Sequence, residues 1–219
     1  MSCPLHHGHP PSHLASTLLT TITSSILPLT AHNVSLGCKV FGAAILSKSD
    51  LSLITASTND EITTPLYHGE ISTLLSFHTL NNARAARGEE RIDPKSCVFL
   101  STHEPCSLCL SAITWSGFDN FYYLFTYKDT MEEFAIPHDI NILRQVFETN
   151  PQEGQELGEG LYNKSNAYWK CYSIQDLIDH SPDIEQNQLV EQQREVKQSY
   201  RGLSDTYQST KTETSIPLA

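Results

Sequence analysis

Apolar positions recur with a helical period over residues 12–29, at Leu14, Leu18, Leu19, Ile22, Ile26 and Leu29. Ser12 stands where an N-cap belongs and Pro28 near the end of the stripe, so the pattern predicts one amphipathic helix. The many Thr and Ser residues between make it a weak helix in isolation, which packing must hold. Residues 39–46 are an apolar run, 47–50 a turn and 51–56 a second run, together a β-hairpin. Asn59 and Asp60 open a loop to Pro65. A helix follows from near His68 to about Leu80, with Ile71, Leu74, Leu75 and His78 on one face, and 81–94 is a polar connection. Residues 97–102 read as a strand, and Pro105 sits where the next helix begins, a favoured place for proline. That helix runs to about Trp115 and stops at Gly117. Residues 121–125 are a buried strand, and a helix is expected over 139–147. Beyond a Gly- and Glu-rich loop at 150–160, a short strand (168–173) and a helix (174–180) are expected. Residues 184–200 are Gln- and Glu-rich and show no convincing apolar face.

This order predicts an α/β fold, a three-layer α/β/α sandwich with a mixed central sheet. The strand–helix–strand segment from Cys97 to Phe125 is expected to be a parallel crossover. The expected division is a disordered tail at 1–11, a domain at 12–150, an extension packing on it at 151–201 and a second disordered tail at 202–219.

Charge narrows the function. The 219 residues carry a net charge of -11, which repels phosphate backbones and argues for a small substrate over nucleic acid. No run of 18 apolar residues is evident in the sequence, so no membrane span is expected. The N-terminus lacks the basic and apolar regions of a secretory signal, and the expected location is the cytoplasm, with the nucleus still open. Among six Cys, Cys38, Cys97 and Cys171 sit among apolar residues and read as small hydrophobes. His6, His7, His9 and His13, with Cys3, read as part of a mobile tail. Trp115 and the aromatic run Phe118, Phe121, Tyr122, Tyr123, Phe125 and Tyr127 read as strand packing rather than base stacking.

The chemistry lies in His68-Gly69-Glu70 and, farther on, Pro105-Cys106-Ser107-Leu108-Cys109. Cys106 and Cys109, three apart at a helix start, can clasp one ion, and the helix N-terminus favours thiolates. With His68 they make three ligands for Zn2+, leaving an open fourth position, the arrangement of a catalytic zinc. Zinc lowers the pKa of bound water toward about 7. Glu70 is placed to take the water's proton, deliver it to a ring nitrogen and later protonate a leaving amine. This is the H-x-E…P-C-x-x-C signature of the zinc deaminases. His103 is a possible fourth ligand that would close the site.

At these residues the chain resembles the cytidine and deoxycytidylate deaminase superfamily. It is nearest the branch containing guanine, cytosine and tRNA adenosine deaminases. Glu104-Pro105-Cys106-Ser107-Leu108-Cys109 followed by Ala112-Ile113 is similar to that branch's pattern, and Phe41-Gly42-Ala43 to its first strand. The resemblance implies zinc at His68, Cys106 and Cys109, with Glu70 as proton shuttle. It also implies substrate-binding roles for Asn59 and Asp129, beside the plainer readings of a turn residue and a helix N-cap. Gly69, where Ala or Val is more usual, and Tyr67, where Ala is typical, depart from the family. Family members are commonly homodimers or larger, so a homodimer is expected. The expected function is hydrolytic deamination of a free base, nucleoside, nucleotide or related heterocycle. The competing readings are editing of adenosine in tRNA and a catalytically silent regulatory subunit.

Overall fold

The computed structural model describes residues 5–150, 158–213 and 215–218. A five-stranded sheet in the order β2-β1-β3-β4-β5 forms its centre. The strands are β1 (Gly42–Ser47), β2 (Leu53–Thr58), β3 (Cys97–His103), β4 (Asn120–Phe125) and β5 (Lys170–Ser173). β1 runs antiparallel to both β2 and β3, and β3, β4 and β5 are parallel. The strands alternate by the period of two that pleating imposes. Ala44, Leu46, Val98, Leu100, Tyr122 and Leu124 join one buried cluster. Ala43, Ile45, Phe99, Phe121 and Tyr123 join another.

Helices α1 (Pro11–Thr21), α7 (Ile174–Asp179) and α8 (Asp183–Thr210) cover the first face, and α3 (Gly69–Ala86) and α4 (Ser107–Trp115) the second. The result is a three-layer α/β/α sandwich with a mixed sheet. The remaining helices are α2 (Leu27–Ser35), α5 (Tyr127–Phe134) and α6 (His138–Gln145). Most of the aromatic run is buried in strand packing; Trp115 is the exception, 91% exposed at the end of α4.

Four expectations change. The first helix does not stop near Leu29. A π-helical turn at Ile22–Ile26 precedes Pro28, and the chain continues as α2 to Ser35. Proline cannot donate a helical hydrogen bond, and the wider turn absorbs that defect. The continuous Pro11–Ser35 helix is long and apolar enough to cross a membrane by length and composition, which its interspersed Thr and Ser disguise. Its stripe of Leu14, Leu18, Leu19, Ile22 and Ile26 is wholly buried in the core.

The N-terminal segment is structured from Leu5. His6 and His9 exchange backbone hydrogen bonds of 2.9 and 3.0 Å. His9 Nε2 donates to the Lys48 carbonyl at 2.7 Å, and the His6 ring packs edge-on to Tyr172. Cys3 lies outside the described residues. Residue 150 marks no boundary, because β5 completes the same sheet. Finally, α8 runs through Gly202 to Thr210 where a disordered tail was expected. Its buried face is Leu189, Gln193, Val196, Tyr200, Ser204 and Tyr207, a helical spacing built partly from polar and aromatic residues.

The start of β1 and the ends of β2 and β3 lie at one edge of the sheet, where open α/β sheets commonly place ligands. There α3 begins against β1 with no side chain between them. A Cβ on Gly69 would meet the Gly42 Cα at 2.6 Å, and one on Gly42 would strike Ile26 Cγ2. Gly69→Ala must therefore push α3 off β1. Overpacking of this kind costs about 1–3 kcal/mol, which outweighs the roughly 1 kcal/mol that alanine gains in a helix. A lower melting temperature and weaker zinc binding are expected in thermal unfolding and metal titration. Unchanged values for both would show that the contact yields freely.

Candidate metal centre and active site

His68 caps α3 and Cys106 caps α4, each with extended backbone and no side-chain bond to its own helix. Both side chains are thus free to converge, and Cys109 joins them from the first turn of α4. His68 Nδ1 lies 3.5 Å from Cys106 Sγ and 3.7 Å from Cys109 Sγ. All three donor atoms fall within 4.8 Å of one another. A tetrahedral zinc with ordinary bond lengths separates its nitrogen and sulfur ligands by about 3.6 Å, so the triangle fits zinc. No other group of three such residues with this geometry occurs among the described residues.

His103, the possible fourth ligand, is elsewhere. Its ring is buried among Phe41, Phe125 and Phe134, with Nδ1 2.9 Å from Thr102 Oγ1. Burial holds its imidazole well below the usual range, and an aromatic cage suits a neutral ring. The three-residue centre therefore gains no ligand from His103.

The electrostatics suit a metal. The Cys109 thiol hydrogen-bonds to Cys106, which together with His68 outweighs burial and holds the Cys106 thiol well below its ordinary value. Burial and the Cys106 charge push Cys109 well above it. Burial would depress His68, but its bond to Cys106 and the surrounding negative charge lift it to about 9.

Glu70 follows on the first turn of α3, buried, and Ser101 Oγ donates to its Oε1 at 3.1 Å. Burial, then the Cys106 charge, raises its carboxyl above the usual range. Asn59 Oδ1 accepts from the Gly69 amide at 2.6 Å, fixing the start of α3. Its Nδ2 is fully buried without a hydrogen-bond partner. Such an orphan donor is costly unless something else satisfies it.

A cavity of about 260 Å³ opens on His68 and Cys106, and Lys39, Phe41, Glu61 and Asp139 also line it. Asp129 is not among its lining residues. Its carboxylate completes a capping box with Thr126 and pairs with Lys197 at 3.2 Å. The cap itself is Thr126, three residues before the position expected. The cavity's acidic side chain from this region is instead Asp139 on α6, whose carboxyl is raised well above the usual range by burial and then by Cys106. Lys39, Glu61, Ser101 and Asp139 carry no spacing signal. Their separation along the chain hides that Lys39, Glu61 and Asp139 line one cavity and that Ser101 bonds Glu70.

Because zinc binds a neutral imidazole and ionised thiols, zinc uptake at about pH 7.5 is expected to release protons. Titration in weak buffer measures this, and release of none would contradict the ligand set.

The model of the cytidine and deoxycytidylate deaminase zinc-binding region matches residues 27–125. No curated protein matches the chain. Among solved structures, a guanine deaminase from Nitrosomonas europaea is 20% identical, covering 90% of this chain and 98% of that one, with a TM-score of 0.44. A guanine deaminase from Bacillus subtilis is 24% identical, covering 64% and 82%, at 0.43. A structure from work on A-to-I editing by tRNA:A34 deaminases is 25% identical, covering 48% and 75%, at 0.34. The family match falls on the segment that carries His68, Glu70, Cys106 and Cys109, so residues 27–125 match a zinc-binding region of the cytidine and deoxycytidylate deaminase type.

Proposed function

We propose that this deaminase acts on a free nucleobase or a heterocycle of similar size, with His68, Cys106 and Cys109 as zinc ligands and Glu70 as proton carrier. The observation that carries this reading is the cavity beside His68. At about 260 Å³ it falls below the roughly 300–1,000 Å³ of drug-sized pockets. That volume favours a base over a nucleotide or a tRNA loop, and the net charge of -11 points the same way.

Zinc, when bound, supplies the Lewis acidity that makes water a competent nucleophile near neutral pH. Glu70 accepts the water's proton, and its raised pKa then lets it pass that proton to a ring nitrogen. A second proton crosses Glu70 to the departing amine. Water and the ring amine thereby become a ring carbonyl and ammonia. Ser101 holds one carboxylate oxygen of Glu70 in place during both transfers. The orphan Asn59 Nδ2 donates to an acceptor on the ring, which orients it and satisfies the amide. An intact, buried Glu70 also argues against a silent regulatory subunit, which has no use for a proton carrier.

Glu70→Ala is expected to keep zinc and lose turnover by at least about 100-fold, the usual range for a general acid–base. Cys106→Ala is expected to lose both. The measurements are metal content and ammonia release across a panel of bases, nucleosides, nucleotides and pterins. Zinc retained in full by Cys106→Ala would sink the ligand assignment, and undiminished ammonia release by Glu70→Ala the proton carrier.

A further inference from the structure

The N-terminal histidines take no part in the proposed deamination, yet one of them is buried. His6 is 9% exposed, and its ring packs edge-on to Tyr172 on β5, with centroids 4.7 Å apart. Its Nδ1 lies 3.2 Å from the Tyr122 hydroxyl on β4, the one hydrogen-bonding partner of the ring among the described residues. Residues 5–7 wall a cavity of about 530 Å³ whose other lining includes Asp119, Asn120, Lys170 and His180. Asn120 and Lys170 begin the parallel strands β4 and β5, so this cavity lies at the end of the sheet opposite Cys106.

Few bonds hold residues 5–10 in place. His6 and His9 bond each other's backbone, and His9 Nε2 holds the Lys48 carbonyl. Within the segment His6 is the buried residue, so its ring is the anchor. Segments with so little buried surface open locally, without the rest of the fold.

The anchor is a group that acid can charge. An imidazolium there would give up its water without a carboxylate to pair with, which is costly. The charged groups around it do not remove that cost. Asp176 on α7 attracts it, but that carboxylate already accepts from the Ser173 amide and hydroxyl. His180, just past α7, repels it once protonated. Asp119 is paired with Lys48 of the β1–β2 turn at 2.6 Å, while Lys170 and the neighbouring His7 add only positive charge. Burial, and then His180, accordingly hold the His6 imidazole below its usual range against the pull of Asp176. A docked ring that resists protonation is stabilised above the ordinary imidazole value of about 6.5, and that stability is lost as the pH falls below it. The His9 bond has no such sensitivity, since an imidazolium still donates to a carbonyl.

We propose that residues 5–10 are an acid-released strap, in which protonation of His6 expels its ring from Tyr122 and Tyr172 and opens the cavity at that end of the sheet.

The test is backbone hydrogen exchange on zinc-loaded protein at pH 7.5 and 5.5, corrected for intrinsic rates and read at the His6 and His9 amides. Protection there is expected to fall severalfold, up to the limit of about tenfold that one proton sets over this window. Amides of β3 are expected to keep theirs. His6→Phe retains a ring that cannot charge, and its protection is expected to change by less than about twofold. The chemical-shift titration of the His6 ring in the unsubstituted protein is a second reading, which decides the matter if His6→Phe does not dock. Its midpoint is expected below about 6.5. Equal protection at the two pH values, an equal fall in His6→Phe or in β3, or a His6 midpoint at or above about 6.5 would overturn the proposal.

Discussion

The contact of Gly69 on Gly42 is the constraint on which the active-site end depends. Two backbones meet there without a Cβ between them, and the approach fixes the depth of α3 on the sheet. Two further bonds lock it. Asn59 Oδ1 holds the Gly69 amide, and Thr73 Oγ1, one turn on, donates to the Ala43 carbonyl. His68, the residue before the contact, caps α3 and lines the cavity, and Glu70, the residue after it, is buried. The departure from Ala or Val between the His and Glu has its physical reason here: any side chain would strike β1.

The second helix start is held by different means. Glu104 Oε2 accepts from the Tyr127 amide at 2.9 Å and Oε1 from the Tyr162 hydroxyl at 2.7 Å, while Tyr127 OH donates to the Pro105 carbonyl at 2.6 Å. The turn that delivers Cys106 is thereby tied to α5 and to the chain ahead of β5. Both helix N-termini then face the same point, and their partial positive charges favour the thiolates and carboxylate gathered there. The opposing effect is burial, which raises Glu70 and Cys109. A dry carboxyl of raised pKa is what a group passing protons in both directions requires.

The His68, Cys106 and Cys109 cluster was legible because its motifs are local. Cys106 and Cys109 lie on a single turn, and helix geometry brings them together, while His68 and Glu70 flank the start of α3. The orphan amide of Asn59 gives the expected substrate contact a physical basis, whereas Asp129 is occupied by a cap and by Lys197. Asp129 and Asp139 look alike in sequence, since each is an acid at the start of a short helix. Only the folding of α6 against the cavity distinguishes the one that faces it. Likewise α8 was obscure because its buried stripe uses Tyr200, Tyr207, Gln193 and Ser204 as core residues, and a tally of apolar positions passes over them.

The sequence by itself determined the sandwich and the zinc chemistry, because apolar runs, turn residues and the Cys106/Cys109 spacing on one helical turn are all short-range. Tertiary structure alone decided the cavity. Lys39, Glu61 and Asp139 come from three separate segments, and their meeting depends on which elements the sheet edge gathers. The core likewise decided the fate of the Pro11–Ser35 helix and of α8. An apolar stripe specifies that it will be buried, and only the assembled layers specify against what.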